Sequence, residues 1–239
     1  MFFFDPLYLA VIGVGMALSL WASAKTKGAF NKYSQFTTRR GFTGAEIAQA
    51  ILRDNGIADV RVEPVAGNLT DHYDPRTKTL RLSEQVYGSR SMAAAGVAAH
   101  EVGHAIQHAK AYGPLQFRSA WVPIASFSSG LSMILIIAAL FLGGAATQGS
   151  IGWFAAWAGV ILFGATTVFT LVTLPVEFDA SNRALATLQR GSYLSPEEMR
   201  GAKSVLDAAA LTYVAAAITS ILTLLYWAYR LGLFGGRRD

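Results

Sequence analysis

The chain has 239 residues, 53% hydrophobic and 15% charged, with a net charge of +5 and a mean hydropathy of +0.37. That is too apolar and too sparsely charged for an ordinary soluble domain of this length. With no cysteine, disulfides and thiolate ligation are excluded, and any metal must be held by His, Asp or Glu. In such a chain the positive excess reports membrane topology, and no nucleic-acid partner is expected.

The first predicted element is an apolar run over residues 7–24, long enough for a helix to cross a bilayer. Ala22-Ser23-Ala24 looks like a cleavage site, but residues 1–6 hold no Lys or Arg. Lys25, Lys27, Lys32, Arg39 and Arg40 follow the run instead, as in an uncleaved anchor with its N-terminus outside. Residues 25–119 then read as a folded polar segment. Thr43-Gly44-Ala45-Glu46 is a capping box before the helical spacing of Ile47, Ala50 and Ile51, and Asn55-Gly56 is a helix stop. Short extended runs follow at 60–65, 68–73 and 79–82, with Asp74-Pro75-Arg76-Thr77 as the turn of a hairpin between the last two. Residues 91–109 are Ala-rich and helical, ended by Gly113-Pro114.

Three more apolar runs, 120–143, 151–174 and 209–229, complete a set of four membrane spans without charge in their interiors. Trp21, Trp121, Trp153, Tyr226, Trp227 and Tyr229 lie near span ends, where amphipathic rings favour the interface. Between the third and fourth spans, Ser195-Pro196-Glu197-Glu198 opens a helix with Ser at the N-cap and acid three residues on. Residues 25–119 carry thirteen of the twenty Lys and Arg. Arg183, Arg190, Arg200 and Lys203 follow the third span, and the loop 144–150 has no charge. Both 25–119 and 175–208 are therefore expected on the cytoplasmic side, with spans two and three as a hairpin. Arg230, Arg237 and Arg238 in the tail run against a four-span count, so a re-entrant or interfacial fourth segment stays open; the first loop weighs more. Small residues such as Gly130, Gly159 and Gly164 allow close helix packing within the chain or between copies in a homo-oligomer.

The chemistry is concentrated at His100-Glu101-Val102-Gly103-His104. On a helix, residues four apart share a face, so His100 and His104 point at one ion and Glu101 stands beside a metal-bound water as a base. A catalytic zinc usually takes three protein ligands. His108 lies eight residues from His100, about 12 Å along a helix, too far to share an ion with it. It reads as a helix-end residue or a polar contact near the site. Glu177, just past the third span and on the same expected side, is the third-ligand candidate. Asp179 and Asn182, within a turn and a half, are placed to orient a ligating histidine. The site is expected close to the membrane surface, since Glu177 is about three residues past the span end.

The runs Gly67-Asn68-Leu69-Thr70-Asp71-His72-Tyr73-Asp74-Pro75, Leu80-Arg81-Leu82-Ser83, residues 97–108 and Pro175-Val176-Glu177-Phe178 resemble the YugP-type membrane zinc metallopeptidases of bacteria. More distantly the chain is similar to the HtpX and prenyl-protein (CAAX) protease group, which also pairs an extended strand with a His-Glu-x-x-His helix and a later Glu ligand. In that group an Asp typically stands four residues after the Glu; here that position is Ser181, with Asp179 two on. The resemblance implies a multi-pass protein of the bacterial inner membrane that acts as a gluzincin-like peptidase on a protein or peptide substrate. The expected fold is a mainly α membrane protein of about four transmembrane helices with a cytoplasmic α+β zincin-like domain.

The mechanism expected is hydrolysis with Zn2+ held by His100, His104 and Glu177 and with Glu101 as general base and acid. His72 and Tyr73, on an expected sheet edge, are candidates for the oxyanion or substrate, against ordinary strand packing. Three competing readings remain. A site-2-type intramembrane protease would use Asp207 as third ligand. A non-catalytic scaffold would have a closed structural zinc site, with Asp179 added. A transporter would show ionisable residues in its spans, which these lack.

Overall fold

The computed structural model describes residues 5–144 and 147–233. Among the described residues, seven helices and three strands follow in the order α1 (Pro6–Ser34), α2 (Gly44–Asp54), β1 (Arg61–Val65), β2 (His72–Asp74), β3 (Thr79–Ser83), α3 (Glu84–Tyr87), α4 (Met92–Ala109), α5 (Gly113–Phe141), α6 (Ile151–Arg190) and α7 (Pro196–Arg230). Among the described residues, α1, α5, α6 and α7 are the helices long and apolar enough to cross a membrane. They overrun the expected spans: α6 continues for 40 residues through Pro175, and α7 begins at Pro196, not near 209. Hydropathy marks only the apolar part of a helix, whereas the backbone ladder runs on into polar sequence.

The chain divides into two compact units. The first takes residues up to Leu20, then Phe117–Leu174, then Tyr213 onward. Its small core holds Ile136, Ala139, Ala156, Tyr226 and Trp227. Thr167 Oγ1 and Ser220 Oγ, 2.9 Å apart, join α6 to α7, and Trp121 Nε1 donates to the Ala165 carbonyl at 2.9 Å. Leu20, Phe127, Ile134, Phe141, Phe154 and Ile161 are exposed on its surface. So broad an apolar exterior suits lipid and not water. Gly159 packs inside the chain, where an added Cβ would meet Ile136 at 2.8 Å, while Gly130 and Gly164 have nothing within 4 Å.

The second unit, Trp21–Gln116 with Pro175–Thr212, is built around α4. Thirteen residues of α4 are buried, eight of them Ala or Gly, so neighbouring backbones come close. An added Cβ at Gly103 would stand 2.4 Å from the Ala180 carbonyl oxygen of α6, and one at Gly96 would stand 3.3 Å from Ala202 of α7. Ile47, Ile51, Leu80, Leu82, Val86, Val102, Leu188 and Val205 fill the surrounding core. The α2 capping box is present: Glu46 N donates to Thr43 Oγ1 at 3.2 Å and Thr43 N to Glu46 Oε2 at 2.8 Å. A second one starts α7, with Ser195 N on Glu198 Oε2 at 2.7 Å and Glu198 N on Ser195 Oγ at 3.3 Å. The other Glu198 oxygen accepts the Arg39 N–H at 2.6 Å, tying the segment after α1 to α7.

The sheet has the order β1-β3-β2, with β1 parallel and β2 antiparallel to β3. The β2–β3 hairpin turns at Asp74, whose carboxylate accepts from Arg76 N at 2.9 Å and Thr77 Oγ1 at 2.8 Å. Of the expected run 68–73 only His72 and Tyr73 pair, in a strand that continues to Asp74. Gly67 and Leu69 have positive φ, which an extended run does not tolerate. Helix α4 ends before Gly113-Pro114, at Lys110, with Ala111 at φ 50°. Pro114 instead lies in the first turn of α5, where its missing N–H costs nothing.

Candidate metal centre

Ser91 starts α4 by accepting the Ala94 N–H at 3.2 Å, and the following four-residue spacing puts His100 and His104 on one face. Glu177 comes to that face from α6, across the close approach of Gly103 to Ala180. The donor atoms of His100, His104 and Glu177 lie within 4.8 Å of one another. Glu177 Oε2 is 3.2 Å from His100 Nε2 and 3.4 Å from His104 Nε2. Ligands about 2.1 Å from a tetrahedral ion stand about 3.4 Å apart, so two imidazoles and one carboxylate here fit zinc.

Each histidine is held from behind. His100 Nδ1 is 3.1 Å from Ser181 Oγ, so the Ser that replaces the expected Asp still reaches the imidazole. His104 Nδ1 is 3.0 Å from Gln107 Oε1, and the two rings meet edge to face at 4.8 Å. Gln107 is wholly buried and donates to the Val176 carbonyl at 2.7 Å and to Asp179 Oδ2 at 2.8 Å. Arg183 Nε donates to the same Asp179 oxygen, and its guanidinium lies 5.5 Å over the Tyr112 ring. Asp179 thus acts on His104 through Gln107 and not directly; Asn182 is exposed and takes no part in this network.

Burial raises the Glu101 carboxyl, the two imidazoles oppose that rise, and the charges of Glu177 and Asp71 add to it. A carboxyl lifted in this way holds its proton more readily than a free one. For Glu177 burial also acts upward, but hydrogen bonds to His100 and His104 outweigh it and hold the group well below the usual carboxylate range. Burial acts to lower His104, and is outweighed by the Glu177 hydrogen bond and the charges of Glu101 and Glu177, which push it up.

His72 and Tyr73 part company on β2, as successive strand residues must. Tyr73 packs against the core, and its hydroxyl lies 2.8 Å from His108 Nδ1, on the helix side of the sheet. Burial, with the charges of Asp59 and Asp74, pushes its phenol up to about 12, so it stays protonated. His72 is exposed, with Nδ1 2.8 Å from the Thr70 carbonyl. His108 is outside the donor cluster and serves as Tyr73's partner. Asp207 is an exposed partner of Lys203 at 2.6 Å, which removes it as a third ligand. Sequence reasoning gave no role to Ser181, Gln107 or Asp71. Gln107 had a signal: it lies three residues after His104 on a helix, hence on the same face. Asp71 had none. Its half-buried carboxylate accepts from Ser83 N at 2.8 Å and Ser83 Oγ at 3.1 Å.

The donor set and the carboxylate beside it are those of a zinc metallopeptidase. Residues 8–232 match the family described as "Putative neutral zinc metallopeptidase", and the chain belongs to that family. It is 46% identical over 219 residues to a Bacillus subtilis (strain 168) protein named "Putative membrane protease YugP", covering 92% of this chain and 93% of that protein. No solved structure matches it. Zinc is accordingly the cofactor, and His100, His104 and Glu177 form a group that could hold it.

Proposed function

We propose that this chain is a membrane-anchored zinc endopeptidase that hydrolyses peptide bonds of protein substrates on the cytoplasmic side of the bacterial plasma membrane. The observation that carries the reading is the gathering of His100, His104 and Glu177 around one point, with buried Glu101 adjacent. Bound there, zinc supplies Lewis acidity, polarising a carbonyl and bringing the pKa of water towards about 7. Glu101 takes a proton from the attacking water as the oxygen–carbon bond forms. It returns that proton to the amine nitrogen as the carbon–nitrogen bond breaks. Tyr73, neutral and on the helix side of the sheet, donates to the carbonyl oxygen as it becomes an oxyanion. His72, on the opposite strand face, contributes to substrate contact. The free side of edge strand β2 pairs with an extended substrate backbone.

Glu101→Gln tests the chemistry. Purified in detergent, it should keep its zinc and cleave casein about 10²–10⁴-fold more slowly than wild type. Full activity would end the proposal. The side of the membrane is tested separately, because a chain without cysteine accepts a single reporter. Arg76→Cys, in the exposed hairpin turn, should react with an impermeant maleimide only after cells are opened.

A further inference from the structure

We propose that Gln107 is a positioning residue of the zinc centre: its side-chain oxygen holds the Nδ1 proton of His104, which leaves Nε2 for the metal, while its amide nitrogen clamps the turn of α6 that carries Glu177. The inference rests on the zinc-ligand reading above. A glutamine amide has one oxygen and one nitrogen, and their order is fixed by the neighbours. Here the Val176 carbonyl and Asp179 Oδ2 lie 2.7 and 2.8 Å from one end. Both are acceptors, so that end is the NH2. The other end is then the oxygen, and it faces His104 Nδ1 at 3.0 Å. An oxygen there accepts only from a protonated Nδ1, which directs the lone pair of His104 to Nε2, the atom 3.4 Å from Glu177.

Two further observations point the same way. Gln107 is wholly buried in an Ala-rich helix, where an uncharged polar side chain is costly unless all its groups are satisfied. All of them are spent on the site: Val176 and Asp179 bracket Glu177 in sequence, so one side chain ties ligand-bearing turns of both helices. Asp179 also accepts from Arg183 Nε, so the same oxygen joins Gln107 to Arg183. His100 receives a simpler version of the same support from Ser181.

The test uses the full chain in detergent. Gln107→Met keeps the volume and removes every hydrogen bond; it should bind zinc about 10–100-fold more weakly in chelator competition. Gln107→Glu keeps the volume and an oxygen towards His104 but sets an acceptor against the Val176 carbonyl and Asp179 Oδ2; it should also bind zinc more weakly than wild type, which a packing role would not predict. The four histidines make a 15N-histidine spectrum simple to assign. In the zinc-loaded wild type, His104 should show a slowly exchanging Nδ1 proton, and in Gln107→Met that proton should exchange freely. Zinc binding within about twofold of wild type in Gln107→Met would overturn the proposal. So would a wild-type spectrum with His104 metallated at Nδ1, a result that stands even if Gln107→Met does not fold. If Glu177→Ala and His104→Ala leave zinc affinity unchanged, the ligand assignment itself has failed; if they abolish it and Gln107→Met does not lower it, only the role of Gln107 has.

Discussion

At the residue scale, the centre is a set of matched acceptors and donors, and each predicts a separable loss. Ser181 supports His100 through one hydroxyl 3.1 Å away. Ser181→Ala should weaken zinc binding about 10–100-fold, as outer supports of zinc ligands generally do, with the apoprotein still folded. Chelator competition measures it. Tyr73 tests the other half of the site. Tyr73→Phe should leave zinc affinity unchanged and lower kcat about 10²–10³-fold, the usual effect of removing one oxyanion donor. A variant with normal kcat would return Tyr73 to strand packing against His108.

At the element scale, the site exists because α4 and α6 cross at a distance that only small residues permit. Gly103, inside the motif itself, lies against the Ala180 backbone, where a Cβ would sit 2.4 Å from a carbonyl oxygen. Gly103→Ala must push two backbones apart. It should cost about 1–3 kcal/mol in stability and also weaken zinc, because Glu177 moves away with α6. Thermal unfolding and metal analysis of the same preparation check both effects. A capping change offers a contrast: Thr43→Ala removes the α2 box far from the donors and should cost about 1 kcal/mol with zinc affinity intact.

At the scale of the whole molecule, stability is linked to zinc and to pH. Free zinc at about 100 times its Kd should add about 2.7 kcal/mol, so chelation lowers the melting temperature. Burial and a hydrogen bond to Asp54 push the phenol of Tyr193 up to about 12 from 10. A pKa higher in the folded chain means stability that is fully present below pH 10 and lost as pH rises through about 12. Between pH 10 and 12, wild type should therefore lose more stability than Tyr193→Phe, a difference that unfolding curves at stepped pH will show.

How much of this was legible in the sequence follows from the range of each interaction. Four apolar runs, two capping boxes, the Asp74 turn and the His100–His104 spacing are local, since each depends on residues within one or two turns of the chain. Glu177 could be reached because the charge pattern put it on the same expected side as the histidines, and the His-Glu-x-x-His spacing pointed to zinc. The helix overruns past 174 and before 209 were not legible, because a polar helix and a polar loop look alike to hydropathy. Nor was the parallel pairing of β1 with β3, nor the hold of Asp71 on Ser83. The sequence by itself determined four membrane-length apolar runs and two histidines sharing a helix face with a glutamate beside them, because covalent spacing and helix geometry suffice for that. Only the tertiary structure decided that Ser181 stands behind His100, Gln107 behind His104 and His108 behind Tyr73. Two of those pairings, Ser181 with His100 and His108 with Tyr73, span dozens of residues, and all three depend on packing geometry that only the folded chain supplies.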